Sequence, residues 1–168
     1  MFKTYKEFIN HDLFLMPFGD HGVGHTRRVL YLALKLANKY ELTEEEKKIL
    51  AVACCYHDIG RVNDETDDGH GLLSVRKCER LKLQELHDMN DEDWYLVRDL
   101  IIFHSLYDFR FPRDDERSIL MYKILKDADA LDRLRFKDLD VKFLRLDYSR
   151  ELIDLEFRLL IADKVIKV

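Results

Sequence analysis

Thr43-Glu44-Glu45-Glu46-Lys47-Lys48-Ile49-Leu50-Ala51-Val52-Ala53-Cys54-Cys55-Tyr56-His57-Asp58-Ile59-Gly60 is the stretch on which the reading of this chain turns. Thr43 followed by Glu46 is a capping box, in which side chain and backbone donors at a helix start satisfy one another reciprocally. The box predicts a helix beginning after Thr43 and running through the apolar segment Ile49–Tyr56, with Gly60 suited to a left-handed cap at its end. That apolar run delivers the chain into His57-Asp58. An ionised carboxylate at the end of a core helix costs several kcal/mol unless a charge or a metal compensates it.

Outward from this helix, every segment reads the same way. Val29, Leu32, Leu36 and Tyr40 recur at helical spacing and predict a helix from near Gly22 to Tyr40. Another is expected from Phe2 to Leu13. After the polar loop Asn63–Gly69, helices are expected over His70–Leu86, from Asn90 onward with Trp94, Val97 and Ile101 on one side, and from Asp114 beyond Pro112 to Phe136. The remainder reads as one or two more helices with a break at Asp147-Tyr148-Ser149. The expected fold class is all-α, an irregular multi-helix bundle, with residues 1–168 forming one domain.

Composition agrees. The 168 residues contain six glycines and two prolines, less than half the usual share, which disfavours linker-like and collagen-like chains. Charged residues make up 36%, but 28 basic and 33 acidic side chains nearly cancel to −5. Such balance builds no large one-sided field, so neither a stable nucleic-acid partner nor a membrane surface is expected. The longest apolar run, Ile49–Tyr56, is far shorter than the ~20 residues of a bilayer span. The N-terminal residues lack a signal-peptide layout, and three cysteines without a C-x-x-C pattern suit a reducing compartment. Cys54 and Cys55 are expected in the core, and the protein in the cytoplasm.

The chemistry concentrates in histidines and acids on apolar faces. His25 shares a face with Val29, Leu32 and Leu36. His104 follows Val97 and Ile101. Asp129 follows Met121, Tyr122 and Leu125 at spacings that place it in an apolar stripe, whereas Asp127 falls well away from that stripe. Singly, each is read as a hydrogen-bonded core residue. Together, inward histidines and carboxylates from several helices point to a shared divalent metal, for which imidazole and carboxylate are suitable ligands. His11 and His87 read as solvated, and His21 as part of the Gly19-Asp20-His21-Gly22 turn.

The order His25, His57-Asp58, Asp129 resembles the HD-domain superfamily of metal-dependent phosphohydrolases, especially small stand-alone bacterial members. The phrases that carry the resemblance are His25-Thr26-Arg27-Arg28-Val29, Tyr56-His57-Asp58-Ile59-Gly60 and Lys126-Asp127-Ala128-Asp129-Ala130-Leu131-Asp132, covering about residues 22–135 and leaving 136–168 without a motif. The resemblance implies a helical bundle with a divalent ion (Mn, Fe, Mg, Ni, Co or Zn) on His25, His57, Asp58 and Asp129. It implies His70 and His104 as ligands of a second ion or as phosphate contacts; one ion or two stays open. The implied function is hydrolysis of a small phosphate substrate, a nucleotide or related ester, by a nucleotidase, nucleotide pyrophosphatase or phosphodiesterase.

Arg28 and Arg61 are the expected phosphate cations, with Lys126 and Arg133 as further candidates. Asp58 is expected to ligate one ion or bridge two. Glu65 and Asp68 could orient water, and Asp132 is expected to hydrogen-bond a ligand histidine. The Gly-Tyr-Pro extension of the cyclic-dinucleotide subgroup is absent, and Ala130 stands where small members carry an Arg, with Arg133 one turn later. A two-iron oxygenase of HD type and a non-catalytic metal or nucleotide sensor are the alternatives. A homodimer is compatible with the reading.

Overall fold

A computed structural model describes residues 1–65 and 67–165. Among them the chain forms α-helices joined by turns and short 3-10 segments, with no strand. The helices are α1 (Phe2–Tyr5), α2 (Val23–Lys39), α3 (Glu44–Tyr56), α4 (His70–Arg80), α5 (Leu83–Leu86), α6 (Asp91–Phe103), α7 (Glu116–Asp132), α8 (Asp147–Glu151) and α9 (Ile153–Ala162). None is long and apolar enough to cross a membrane.

The sequence signals set most boundaries. Thr43 Oγ1 accepts from Glu46 N while Glu46 returns a bond to Thr43 N, completing the capping box. Asn90 caps α6 through Asp93 N and Asp115 caps α7 through Ser118 N, each worth about 1 kcal/mol. Helix α2 is sandwiched between α3 and α7, and α6 packs on α3 and α4. Leu30, Leu32, Leu36, Leu50, Leu100, Ile101, Leu125 and Leu131 fill the space between them. All three cysteines are buried and free.

Several expectations are corrected. The first helix is broken: one α-turn, then 3-10 turns at Lys6–Phe8 and His11–Leu13. The fourth ends at Arg80, because Lys82 adopts φ 54 and restarts the chain as α5. The long helix ends at Asp132 and tightens into a 3-10 turn, Arg133–Phe136. Asp147-Tyr148-Ser149 begins α8 rather than breaking a helix, the break lying at Leu152 between α8 and α9. Gly60 is not a left-handed cap, since no glycine has positive φ. Glycine stands there for space: a Cβ would lie 2.1 Å from Ser74 N.

Asp127 and His87 are also corrected. Asp127 leaves the stripe of Leu125 and Asp129 but is fully buried, because the 144–149 segment folds over that face of α7. Its carboxylate accepts from Arg145 N, Leu146 N and Ser149 Oγ. His87 is not solvated. It is 6% exposed, its Nε2 is hydrogen-bonded with Tyr56 Oη at 2.7 Å, and Phe8 and Tyr5 pack on its ring.

Candidate metal centre

Four helices bring imidazoles to one buried carboxylate. His25 projects from the first turns of α2. His57 and Asp58 follow α3, His70 opens α4, and His104 follows α6. All five residues are at most 3% exposed. Two close approaches make the convergence possible. Bare Gly60 lets the His57-Asp58 turn press against α4, where Ser74 Oγ donates to His57 O and accepts from Gly60 N. Bare Gly71, beside His70, lets α4 lie against α6, where a Cβ would meet Ile101 O at 2.4 Å.

The donors form two sets that share Asp58. His25, His57 and Asp58 each offer an atom within 4.8 Å of the others, and so do Asp58, His70 and His104. Asp58 Oδ2 faces the first set, 3.4 Å from His25 Nε2 and 3.6 Å from His57 Nε2. Asp58 Oδ1 faces the second, 3.1 Å from His70 Nε2 and 3.6 Å from His104 Nε2. Asp129, on α7, approaches the first set through His25, with Oδ1 3.3 Å from His25 Nε2. Its side chain keeps 34% exposure, so it forms an open edge of an otherwise closed cluster.

The tautomers argue for a cation. His57 Nδ1 is 2.8 Å from Cys54 O and His104 Nδ1 is 2.7 Å from Ile101 O. His70 Nδ1 meets Asp67 O, and His25 Nδ1 is 2.5 Å from Asp132 Oδ2. A carbonyl or an ionised carboxylate accepts, so these Nδ1 atoms carry a hydrogen and each Nε2 is left facing the cluster. Yet His70 Nε2 and His104 Nε2 are 2.9 Å apart, and His25 Nε2 and His57 Nε2 are 3.2 Å apart. Nitrogens this close repel unless a proton or a metal ion lies between them. Ligands about 2.1 Å from a common ion stand roughly 3.0–3.5 Å from one another, which is the spacing here.

Electrostatics follow the same geometry. Burial would push His25 down, but Asp132, Asp129 and Asp58 offset it and raise the imidazole to about 10. His57 is lowered to about 4, chiefly by burial. Burial opposes ionisation of Asp58 and Asp129, but the surrounding imidazoles outweigh it and hold both well below the usual carboxylate range.

Behind His25 lies an ionic layer. Asp132 Oδ1 accepts from Arg28 Nε at 2.5 Å, and Oδ2 accepts from Arg135 NH1 at 2.6 Å as well as from His25. Arg28 also reaches Asp163 at 2.9 Å. Arg28 is thus committed to acids, yet it lines, with Arg27, Tyr31, Phe18 and His25, a cleft of about 890 Å3.

At the mouth, Arg61 Nε is 3.1 Å from Asp58 Oδ1 and its NH1 donates to Glu65 O. His21 is held by Asp64, Nδ1 to Oδ1 3.0 Å, and its ring stands 5.5 Å from that of His25. Among the loop acids it is Asp64, rather than Glu65 or Asp68, whose carboxylate reaches the site. Lys126 is bound by Leu106 O and Asp108, and Arg133 pairs with Asp138 at the surface. Sequence reasoning missed Asp64, Arg135 and Glu156. Asp64 is one acid in a loop of acids, Arg135 stands at the very end of the region that carries motifs, and Glu156 lies in the stretch without one.

Among known proteins, no curated protein and no solved structure matches this chain. The family model described as HD domain matches residues 22–134, which span every ligand candidate from His25 to Asp129 together with Asp132. The chain belongs to the HD-domain family, the superfamily of metal-dependent phosphohydrolases.

Proposed function

We propose that this protein is a phosphohydrolase acting on a nucleotide or a related phosphate ester, and that Asp58 would take part in holding each of two divalent ions. One observation carries the reading: two pairs of imidazole nitrogens, each imidazole's other nitrogen already committed as a donor, converge on opposite oxygens of one buried carboxylate. The donor set contains imidazole and carboxylate but no thiolate, which suits Mn, Fe, Co, Ni, Mg or Zn. When bound, such ions supply a nucleophile at neutral pH and a Lewis acid for a phosphoryl oxygen.

The chain's own residues do the remaining work. His25, His57, Asp58 and Asp129 would hold the first ion, and Asp58, His70 and His104 the second. Arg61 keeps its grip on Asp58 through Nε while NH1, now spent on the Glu65 carbonyl, is free to exchange that oxygen for one of the phosphate. Arg28 acts by fixing Asp132 behind His25, and Arg27 beside it offers an exposed cation in the cleft. His21 and Asp64 border the opening and contact the incoming ester.

The test is metal analysis of the purified protein coupled to a phosphate-release screen of nucleotides and simple esters with Mn, Co, Ni and Mg. Asp58→Ala and Asp129→Ala are expected to lose metal and hydrolysis while helical circular dichroism persists. A parental rate in either variant overturns the site. The two sets together also suit a pair of irons, so a two-iron oxygenase is the second reading. Oxygen consumption by anaerobically iron-loaded protein, without phosphate release, would select it.

A further inference from the structure

Glu156, on α9, is the most anomalous side chain in the fold. It is completely buried, yet neither carboxyl oxygen meets a hydrogen-bond donor among the described residues. Its closest recorded cationic atom is Arg28 Nε, 3.6 Å from Oε1, and that nitrogen already donates to Asp132 at 2.5 Å. Glu156 and Asp132 converge on that one nitrogen, Asp132 Oδ1 at 2.5 Å and Glu156 Oε1 at 3.6 Å. Arg28 and Arg135 already have acid partners, Asp132 and Asp163. A further bare anion here would be desolvated, unbonded and pressed against a like charge, each unfavourable by several kcal/mol. A neutral acid removes all three penalties, because its O–H can donate to Asp132.

We propose that Glu156 is a positioning residue of the metal centre, a neutral carboxyl that closes on Asp132 and fixes it as the acceptor of His25 Nδ1–H. Helix α9 thereby completes the ligand geometry from outside the stretch that matches the family model, residues 22–134. Burial and the adjacent Asp132 push the Glu156 carboxyl up to about 9, in keeping with the geometry. The chain is short: Glu156 and Asp132 meet at Arg28 Nε, Asp132 Oδ2 lies 2.5 Å from His25 Nδ1, and His25 Nε2 belongs to the donor set. Groups that orient a ligand histidine commonly change metal affinity 10–100-fold when removed. Glu156 acts one residue further out, so roughly a tenfold change is expected.

This proposal rests on the site assignment but not on hydrolysis. The probe is Mn2+ alone, titrated into full-length protein and followed by electron paramagnetic resonance and calorimetry. Glu156→Gln keeps the shape and a donor toward Asp132, and is expected within about twofold of the parent. Glu156→Leu removes the donor and is expected to weaken Mn2+ roughly tenfold. An infrared carboxylic-acid band at pH 7, present in the parent and missing from Glu156→Gln, reports the proton directly. Parental Mn2+ affinity in folded Glu156→Leu overturns the proposal, as does a Glu156→Gln loss equal to that of Leu, which would mark an ionised partner of Arg28. If Glu156→Leu does not fold, the Gln affinity and the infrared band decide. A parent that binds Mn2+ but releases no phosphate refutes the hydrolase reading and leaves this test intact.

Discussion

Asp132→Asn is the sharpest probe of how the metal centre is held. The substitution keeps the shape and removes the charge. Asp132 is fully buried and accepts from His25 Nδ1 at 2.5 Å, Arg28 Nε at 2.5 Å, Arg28 NH2 at 3.2 Å and Arg135 NH1 at 2.6 Å. Both arginine side chains are almost inaccessible, at 6% and 4%, so water cannot replace the lost anion. Removing one partner of a buried ion pair costs about 3–5 kcal/mol. Asp163 still holds Arg28, and an amide oxygen still accepts, so the lower end applies. A loss of about 3 kcal/mol corresponds to a melting temperature lower by roughly 6–12 °C in a protein this size. His25, facing a neutral acceptor, becomes a weaker donor of electrons, and metal affinity falls 10–100-fold. Thermal unfolding in chelator and Mn2+ titration read the two effects separately. A variant that melts with the parent and binds Mn2+ as tightly would refute the ionic layer. One that melts early but keeps parental affinity would show that Asp132 braces the fold without orienting His25.

Two further outcomes follow from the same geometry. Stripping metal with chelator should destabilise the protein, because an ion that binds the folded cluster and not the unfolded chain stabilises the fold by mass action. Mn2+ at about 100 times its dissociation constant should restore about 2.7 kcal/mol, and a melting temperature indifferent to both treatments would contradict a metal site here. His87 predicts an acid limb in stability. Burial lowers it to about 4 in the fold, against about 6.5 in the unfolded chain, so the unfolded state takes up the proton first. Its contribution is full above pH 6.5 and is lost as pH falls from 6.5 to 4, amounting to about 3 kcal/mol. Urea unfolding of the parent and His87→Gln across that window should differ in slope, and parallel curves would place the acid limb elsewhere.

Local grammar made the helices legible: the Thr43–Glu46 box, the Asn90 and Asp115 caps and the apolar spacing of α2 and α6 each act within one or two turns. Where tertiary packing overrides local preference, legibility stops. His87 looked solvated because nothing nearby in sequence announces Tyr56, and the burial of Asp127, off the stripe as expected, goes unannounced because its cover arrives from residues 144–149. Gly60 looked like a cap because a helix end is the commonest reason for glycine, whereas the actual reason is Ser74, fourteen residues on.

What the chain determines on its own is the inventory: inward-facing imidazoles and carboxylates whose order and spacing identify the family and whose burial calls for a cation. Only the folded molecule decides that Asp58 turns one oxygen to each pair of histidines, and that Glu156 and Arg135 stand behind His25. The physical reason is range. Periodicity and capping are properties of neighbouring residues, whereas the sharing of one carboxylate by four helices depends on how closely their backbones approach, which two bare glycines and a core of leucines settle together.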